Sequence, residues 1–286
     1  MARVISLINL KGGVAKTTTT VALAETFASQ YRKKVLVVDL DPQTNATVML
    51  IGEDKWKSLN DKGHTLATLF KDALTPGEKT FDLAMTLQKS VSDVQGASNI
   101  DLLPSSLDLI DVQDRLASAP TGQFYSVTPV DLLRIAIKPI IEDYDIVLID
   151  CPPNLGIITL NGLRISEGYI IPCVPDVLST YGIPQIVKRV KSFSTETAES
   201  VRPIGIVLTK FQVSSNIHVN GARRLRKEND PPVFRTEIRQ ANQIAAAAEM
   251  VTAKRTLKQK YGYGDDLADS FVALAKEVLD RLEDEE

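Results

Sequence analysis

The chain has 286 residues, of which 44% are hydrophobic, so it is long enough to bury a large core. No run of about 18 apolar residues is present, and the first residues lack the apolar region of a signal peptide, which argues against a membrane-spanning or exported protein. The two cysteines form no CxxC pair, which argues against an iron–sulfur or disulfide-dense framework and fits a reducing cytoplasm.

The net charge of −3 conceals an uneven distribution along the chain. Residues 188–260 contain 15 basic and 6 acidic residues, a balance of +9. The rest of the chain contains 18 basic and 30 acidic residues, a balance of −12. This skew indicates a surface for a polyanion, although solvated charges scattered over several helix faces would explain it equally well.

Apolar stretches alternate with helical ones along the chain. Arg3 to Asn9 predicts a buried strand, and Thr17 to Gln30 predicts the helix that follows it. Further strands are predicted at Lys34 to Leu40, Tyr144 to Asp150, Tyr169 to Val174 and Pro203 to Thr209. Because these runs show almost no polar alternation, they indicate an α/β fold whose mostly parallel, twisted sheet is covered by helices on both faces. Functional residues are then expected at the carboxyl ends of the strands.

Residues 52–100 are more polar and contain no strong strand pattern. One stretch in them, Thr65 to Leu74, predicts a helix, as does the apolar spacing of Leu267 to Leu282 near the end of the chain. No repeat or linker marks a second domain. We therefore predict one domain over residues 1–286, with a variable elaboration at about residues 52–100.

The segment NLKGGVAKTTTT, residues 9–20, joins the first strand to the first helix. Gly12 and Gly13 allow a sharp turn that brings backbone N–H groups close to phosphate oxygens, and the helix N-terminus attracts the same anion. Lys16 can neutralise the β- and γ-phosphates, and the Thr17 hydroxyl can bind Mg²⁺. An ordinary strand-to-helix turn would not need this combination, so the segment predicts a nucleotide-binding loop.

The loop departs from the pattern G-x-x-x-x-G-K-[ST], because Leu10 and Ala15 occupy its two glycine positions. Its form K-G-G-x-x-K-[ST] instead resembles the deviant Walker A ATPases of the ParA/MinD family. The resemblance implies a P-loop NTPase-like fold and a homodimer in which Lys11 reaches the partner's ATP. The residues alone leave open that Lys11 contacts its own nucleotide or solvent. The predicted nucleotide contacts of the loop are Gly12, Gly13, Val14, Ala15, Lys16, Thr17 and Thr18.

Ala15 stands where the family usually has glycine. If this backbone position requires a positive φ, its Cβ costs about 1–2 kcal/mol, whereas a right-handed conformation would carry no penalty. The side chain is too small to block the phosphates. We therefore expect ATP binding to be retained.

Three acidic residues lie at predicted strand ends. The stretch VVDLDPQTN resembles the family's switch I, which implies that Asp41 positions or activates water and that Asp39 lies near the metal. Asp39 could instead cap a turn. Asp150 ends an apolar strand in the Walker B arrangement and is predicted to hold Mg²⁺ directly or through water. The predicted metal residues are Thr17, Asp39 and Asp150, and the predicted catalytic residues are Lys11, Lys16 and Asp41.

The resemblance also assigns the base and a DNA-binding region. It places the end of the stretch Pro203 to Gln212 beside adenine, which makes Lys210 a candidate contact and favours ATP. In ParA proteins the C-terminal basic region binds DNA without reading its sequence, and Arg239 aligns best with that motif. The other candidates rest on charge alone: Arg223, Arg224, Lys254, Arg255 and Lys258.

Together these features resemble the Soj-like partition branch of the ParA proteins. The resemblance implies a cytoplasmic, nucleoid-associated ATPase that uses ATP and Mg²⁺, dimerises, binds double-stranded DNA and is stimulated by a ParB-like or cargo-adaptor protein. The cargo would be a plasmid, a chromosome or a protein body such as a carboxysome. A MinD-like membrane ATPase is an alternative, but the acidic end LAKEVLDRLEDEE would be repelled by anionic lipid. A metabolic P-loop ligase or kinase is another.

Overall fold

The computed structural model describes residues 2–75, 77, 79–118 and 128–283, and seven strands run through that part of the chain. They are β1 (Arg3–Leu7), β2 (Val35–Asp39), β3 (Ile100–Leu103), β4 (Ile146–Asp150), β5 (Gly168–Cys173), β6 (Arg202–Phe211) and β7 (Val233–Arg239). These strands pair in parallel in the order β3-β2-β4-β1-β5-β6-β7. The predicted parallel α/β fold is confirmed.

Helices cover both faces of this sheet. Their bounds are α1 (Lys16–Tyr31), α2 (Asn45–Ile51), α3 (Glu53–Asp61), α4 (Leu66–Leu74), α5 (Leu83–Thr86), α6 (Leu109–Ser118), α7 (Leu132–Ile137), α8 (Ile157–Leu163), α9 (Val177–Tyr181), α10 (Ile183–Thr197), α11 (Asn216–Glu228), α12 (Asn242–Ala246), α13 (Leu257–Tyr261) and α14 (Leu267–Glu283). None of these described helices is long and apolar enough to cross a bilayer.

Side chains that alternate between the two faces of the sheet divide the core into two layers. Ile5 of β1 faces a core formed with α1, α2, α13 and α14, which we call the α1 layer. Val4 of the same strand faces the opposite core, formed with α4, α6, α10 and α11, which we call the α11 layer. Successive side chains of a strand point to opposite faces, so the two layers are separated by the sheet.

The sequence patterns do not predict β3 and β7, the two strands at the edges of the sheet. The seven residues of β7, VFRTEIR, include buried Val233 and Phe234 but also exposed Arg235 and Arg239. The strand β3 has only four residues. Of the two, β7 is covered less completely than the central strands, so it need not be continuously apolar, whereas β3 is buried but too short to give a pattern. The five predicted strands and three predicted helices are present, with ends shifted by a few residues.

The region predicted as an elaboration holds α3, α4 and α5 and ends at the first residue of β3. Phe70 of α4 is buried in the α11 layer, whereas Val91 and Val94 are buried in the α1 layer. The region therefore contributes apolar side chains to both faces of the sheet.

The strand order determines where the functional residues meet. Because β4 lies between β1 and β2, Asp150 at its end is paired in register with Asp39 on one side and with Leu7 on the other. The phosphate loop follows Leu7 directly. The carboxyl ends of β1, β2 and β4 thus bring the loop and both predicted metal carboxylates to one edge of the sheet.

Candidate nucleotide-binding site

The phosphate loop connects β1 to α1 through two left-handed residues. Gly13 has φ +75°, and Ala15 has φ 61° and ψ 32°. A glycine suits the first position, but at Ala15 the Cβ costs about 1–2 kcal/mol in this conformation. The space around the loop is open, since a Cβ added at Gly12 or Gly13 would meet no heavy atom within 4 Å. The loop can therefore accept an anion at the N-terminus of α1.

Lys16 is buried beneath the loop, with its Nζ 3.3 Å from the Lys11 carbonyl oxygen to which it donates. Burial lowers the pKa of this lysine, and the nearby carboxylates of Asp150 and Asp41 partly oppose that change. A desolvated ammonium group at a helix N-terminus interacts strongly with phosphate oxygens, because water screens it little.

Asp150 is fully buried at the end of β4 and accepts hydrogen bonds from two threonines of α1. The distances are 2.7 Å from the Thr17 hydroxyl and 3.1 Å from the Thr20 hydroxyl. Burial raises the pKa of Asp150 to about 7, with the Thr17 hydrogen bond lowering it and the Asp41 charge raising it further. The hydroxyl and carboxylate oxygens brought together here are the hard ligands that Mg²⁺ prefers.

Asp39 is also fully buried, but its carboxylate is bonded to its own loop. One oxygen accepts from the Thr47 backbone N–H at 2.9 Å and hydroxyl at 2.7 Å, and the other accepts from the Asp41 N–H at 3.1 Å. Burial, and next the Asp150 charge, raise the pKa of Asp39 despite the Thr47 hydrogen bonds. Its contacts are those of a residue that shapes the turn after β2, and its metal role stays a prediction.

A cavity of about 410 Å³ lies over the loop. Asp41, which is 5% exposed, reaches this cavity, and burial raises the pKa of its carboxyl group while the Gln43 N–H lowers it. The loop residues that line the cavity are Gly12, Gly13, Ala15, Lys16, Thr17 and Thr18. Gln43, Asn45 and Ala248 line it too, although the sequence analysis did not assign them; the stretch DPQTN carried the signal for the first two.

A second cavity, of about 320 Å³, shares Ala15 and Thr18 with the first. Lys210 at the end of β6 and Arg239 at the end of β7 line it, together with Asn242 of α12. The structure thus brings the predicted base contact Lys210 next to the loop. Val14 differs from the other predicted contacts, because its side chain is buried and its carbonyl accepts a hydrogen bond from the Thr209 hydroxyl at 2.9 Å.

Lys11 lines neither of the two cavities. Its Nζ donates to the Ser179 hydroxyl at 2.8 Å and lies 3.4 Å from the Asp176 carboxylate. Asp176 caps α9 by accepting from the Ser179 N–H at 2.7 Å. Burial raises the pKa of Asp176, but the Ser179 hydrogen bonds and the Lys11 charge outweigh it, and the net pKa is lowered. Lys11 therefore contacts α9 of its own chain and is 41% exposed.

The six residues predicted to bind DNA do not form one patch. Arg223 and Arg224 are exposed on α11, in the α11 layer, whereas Arg239 lies in the second cavity. The remaining three lie on the side of the α1 layer and contact other residues of the chain. Lys254 Nζ donates to the Ser92 carbonyl at 2.7 Å, Arg255 pairs with Asp93 at 2.7 Å, and Lys258 pairs with Asp269 at 2.9 Å.

This geometry agrees with similarities to known proteins. The family described as AAA domain matches residues 2–202 of the chain. The chromosome-partitioning ATPase Soj of Thermus thermophilus is 30% identical over 282 residues, which are 99% of this chain and 97% of that protein. A variant of McdA from Cyanothece, solved in complex with ATP, has a TM-score of 0.76 at 22% identity and covers 98% of this chain and 96% of its own. Cobyrinic acid a,c-diamide synthase from Mycobacterium smegmatis, with an ATP analogue and magnesium, has a TM-score of 0.73 at 22% identity. The match covers 99% of this chain and 96% of the synthase chain.

The chain therefore belongs to the AAA domain family and, within it, to the ParA/MinD family of deviant Walker A ATPases, as the loop pattern predicts. It is an ATPase, which confirms the predicted enzyme class. The solved structures, at their low identity, support the P-loop NTPase-like fold.

Proposed function

We propose that this chain is a ParA-type partitioning or positioning ATPase, in which ATP with Mg²⁺ joins two copies and the dimer binds DNA without reading its sequence. The partitioning role is supported by the Soj relative, which is similar along nearly the whole chain. A ParB-like or cargo-adaptor protein would stimulate hydrolysis and so release the dimer from DNA. The protein would then be cytoplasmic and nucleoid-associated, and the cargo a plasmid, a chromosome or a protein body.

The position of Lys11 carries this proposal. A second lysine on a phosphate loop would be expected to contact the phosphates bound by its own chain. Lys11 instead lies against Asp176 and Ser179 and lines neither cavity over the loop. At 41% exposure, its contact with Asp176 is partly screened by water and is weak enough to be exchanged for another anion. The terminal phosphate held by a second copy of the chain is such an anion.

Within one copy, the residues divide the work of hydrolysis. Backbone N–H groups of the loop and Lys16 would bind the phosphates, and the oxygens of Thr17 and Asp150 would hold Mg²⁺, which would supply charge neutralisation at the phosphates. Asp41 reaches the cavity with a raised pKa and is placed to orient an attacking water and accept its proton. Among the described residues no cluster of three His, Cys, Asp or Glu residues forms a metal cage, which fits an ion bound partly by phosphate.

The second cavity supports binding of the base. It lies between the loop and the ends of β6 and β7, and it combines apolar Ile238 and Phe271 with polar Lys210 and Asn242. An aromatic and aliphatic lining with a few polar groups suits a purine ring. We propose that Lys210 contacts adenine there, and that Arg239 lies close enough to the nucleotide to connect its site with DNA.

Sedimentation velocity with ATP and Mg²⁺ tests the dimer directly. Asp41→Ala should slow hydrolysis and accumulate a nucleotide-bound dimer, and adding Lys11→Ala to that variant should return it to a monomer. Lys55→Ala is the matched control, because Lys55 is an exposed lysine on α3. A monomer in the Asp41→Ala variant, or a dimer that persists without Lys11, would contradict the proposal.

The metabolic alternative makes a different prediction. A P-loop ligase or kinase would hydrolyse ATP faster with a small-molecule substrate and would be indifferent to DNA. A partition ATPase should respond to DNA together with its partner protein. Steady-state ATPase assays with duplex DNA of arbitrary sequence distinguish the two.

A further inference from the structure

Helix α10 carries three cations that the sequence analysis did not assign. Its 15 residues bury Ile186, Val190 and other apolar side chains against the sheet. Lys188 lies on the opposite side of the helix, with Arg189 and Lys191 flanking it, and all three are exposed. The acidic residue of this helix, Glu196, lies further along and accepts a hydrogen bond from Ser192 at 2.8 Å.

These cations differ from most others in the basic region, because they have no partner in the part of the chain that the structure describes. Arg255, Lys258 and Lys260 pair with carboxylates at 2.9 Å or less, and Arg226 pairs with Glu237 at 2.8 Å. No described residue hydrogen-bonds or ion-pairs with the side-chain nitrogens of Lys188, Arg189, Lys191 or Lys227, although the Thr195 hydroxyl donates to the Lys191 backbone carbonyl at 3.0 Å. The Arg223 guanidinium contacts only the Asn220 amide oxygen, at 3.2 Å, among described residues.

Helices α10 and α11 lie next to each other in the α11 layer. Residues of both line a groove of about 440 Å³, among them Gln185 of α10 and Arg224 of α11. Arg224 donates to the Thr180 hydroxyl of α9 across this groove, at 2.8 Å. The unpaired cations of α10 therefore belong to the same side of the molecule as those of α11. We call Lys188, Arg189, Lys191, Arg223 and Lys227 the basic face.

We propose that the basic face is a binding surface for the phosphate backbone of duplex DNA, and that α10 supplies a second row of phosphate contacts beside α11. This inference rests on the proposed DNA binding and adds residues to it. Lysines and arginines without carboxylate partners gain the full release of counterions when phosphate binds, whereas paired ones must first exchange a partner. Long exposed side chains on helix surfaces also suit sequence-independent contact, because they need not enter a groove.

The salt dependence of DNA affinity measures how many phosphates the basic face contacts. In B-DNA each neutralised phosphate contributes a slope of about −0.9 to log K against log [salt]. Removing three contacts from each copy, six in the dimer, should make the slope shallower by about 5.4 and weaken binding by roughly 10-fold or more at low salt. The full chain, loaded with Mg²⁺ and a non-hydrolysable ATP analogue, would be titrated into a labelled duplex of arbitrary sequence over a salt series.

The decisive variant is Lys188→Gln/Arg189→Gln/Lys191→Gln. Its control is Lys276→Gln, an exposed lysine on α14 in the opposite layer, which should leave the slope unchanged. The conservative variant Lys188→Arg/Lys191→Arg should keep wild-type binding. None of these residues touches the nucleotide site, so nucleotide affinity, basal ATPase activity and the thermal midpoint should match those of the wild type.

Two failures can be told apart. If the wild type itself shows no salt-sensitive binding, the proposed function fails and this inference fails with it. If the wild type binds DNA and the triple glutamine variant binds with the same affinity and slope, only the inference is overturned. Loss of binding to anionic vesicles or to a partner protein, with DNA binding intact, would also overturn it.

Discussion

Two parts of the basic region look alike in sequence and differ in structure. The five residues of the basic face, which lie between positions 188 and 227, are exposed cations without carboxylate partners among the described residues. Residues 254–260 carry cations that are bonded within the chain, and Lys260 is fully buried between Glu25 and Asp93. We call Glu25, Asp93, Arg255 and Lys260 the charge cluster. A count of charges over residues 188–260, which contain both parts, gives +9, but only unpaired cations are available to a polyanion.

The charge cluster links the helix of the phosphate loop to the C-terminal part of the chain. Glu25 of α1 accepts from the Ser92 hydroxyl, Lys260 and the Tyr261 hydroxyl, at 2.6 to 2.7 Å. Asp93 accepts from Lys260 at 2.8 Å and from Arg255 at 2.7 Å. The two carboxylates and two cations balance one another, which makes burial tolerable. The cations of the charge cluster stabilise the fold, whereas those of the basic face remain available to bind a ligand.

The largest effect should come from breaking the charge cluster. Lys260→Met leaves Glu25 and Asp93 buried without their shared cation, so the free energy of unfolding should fall by about 3–5 kcal/mol. Lys258→Met is the matched control, because that lysine is exposed and pairs with Asp269 at the surface, and its variant should unfold at the wild-type urea concentration. Equal stability of the two variants would contradict the contrast between paired and unpaired cations.

Next comes the effect of pH on the same cluster. Burial raises the pKa of Asp93, but Lys260, the Val251 N–H and Arg255 outweigh it, and the pKa is lowered overall. A carboxyl group with a lowered folded-state pKa stabilises the protein above its ordinary pKa of about 3.9, and this contribution disappears as the pH falls. Urea unfolding between neutral and acid pH should show wild-type stability declining, and Asp93→Asn should be less stable at neutral pH with a flatter decline. A parallel decline in both proteins would show that Asp93 is not responsible.

DNA binding should depend on the basic face and not on residues 254–260, which is the reverse of the expected effects on stability. Arg223→Gln/Lys227→Gln on α11 removes four contacts from the dimer and should make the salt slope shallower by about 3.6, at about 0.9 for each phosphate contact. Lys254→Gln/Lys258→Gln removes the same charge from the α1 layer and should leave the slope unchanged. If the second variant loses as much affinity as the first, DNA contacts both layers and the division of the basic region is wrong.

A smaller effect is expected from weakening the ion pair between Lys11 and Asp176. Asp176→Asn removes the carboxylate charge but keeps a side chain that can cap α9, so Lys11 should leave more readily. Partly exposed pairs of this kind contribute about 0–1 kcal/mol, which corresponds to at most a few-fold lower ATP concentration for half-maximal dimerisation. Analytical ultracentrifugation over an ATP series would detect the shift. A higher ATP requirement would mean that Asp176 assists the dimer instead of restraining Lys11.

The smallest effect on function concerns Ala15. Replacing it with glycine removes strain of about 1–2 kcal/mol at its positive φ, but glycine also gives the unfolded chain more freedom, worth about 0.5–1 kcal/mol. Ala15→Gly should therefore raise the stability by about 0–1.5 kcal/mol, and nucleotide affinity should be unchanged or slightly higher. Thermal unfolding with and without nucleotide measures both quantities, and a clear loss of stability would refute the strain at this position.

The sequence predicted where in the fold those site residues lie that depend on local spacing, and their chemical roles stay predictions. The phosphate loop, Asp41 and Asp150 follow strands in a fixed register, so their arrangement could be inferred from apolar runs and motif alone. Gln43 and Asn45 belong to the stretch DPQTN, so the sequence carried a signal for them as well. The edge strands β3 and β7 could not be predicted, because their cover comes from distant segments. The same holds for the pairing of Lys260 with Glu25 and Asp93, which are 235 and 167 residues away in the chain.

The central claim is that nucleotide state controls whether the basic face binds DNA. Binding of one labelled duplex of arbitrary sequence, measured over a salt series with the ATP analogue and with ADP, tests it most directly. The account predicts tight, steeply salt-dependent binding with the analogue, because two basic faces act together in the dimer, and weak binding with ADP. Equal affinity with the two nucleotides, or binding that salt does not weaken, would contradict it.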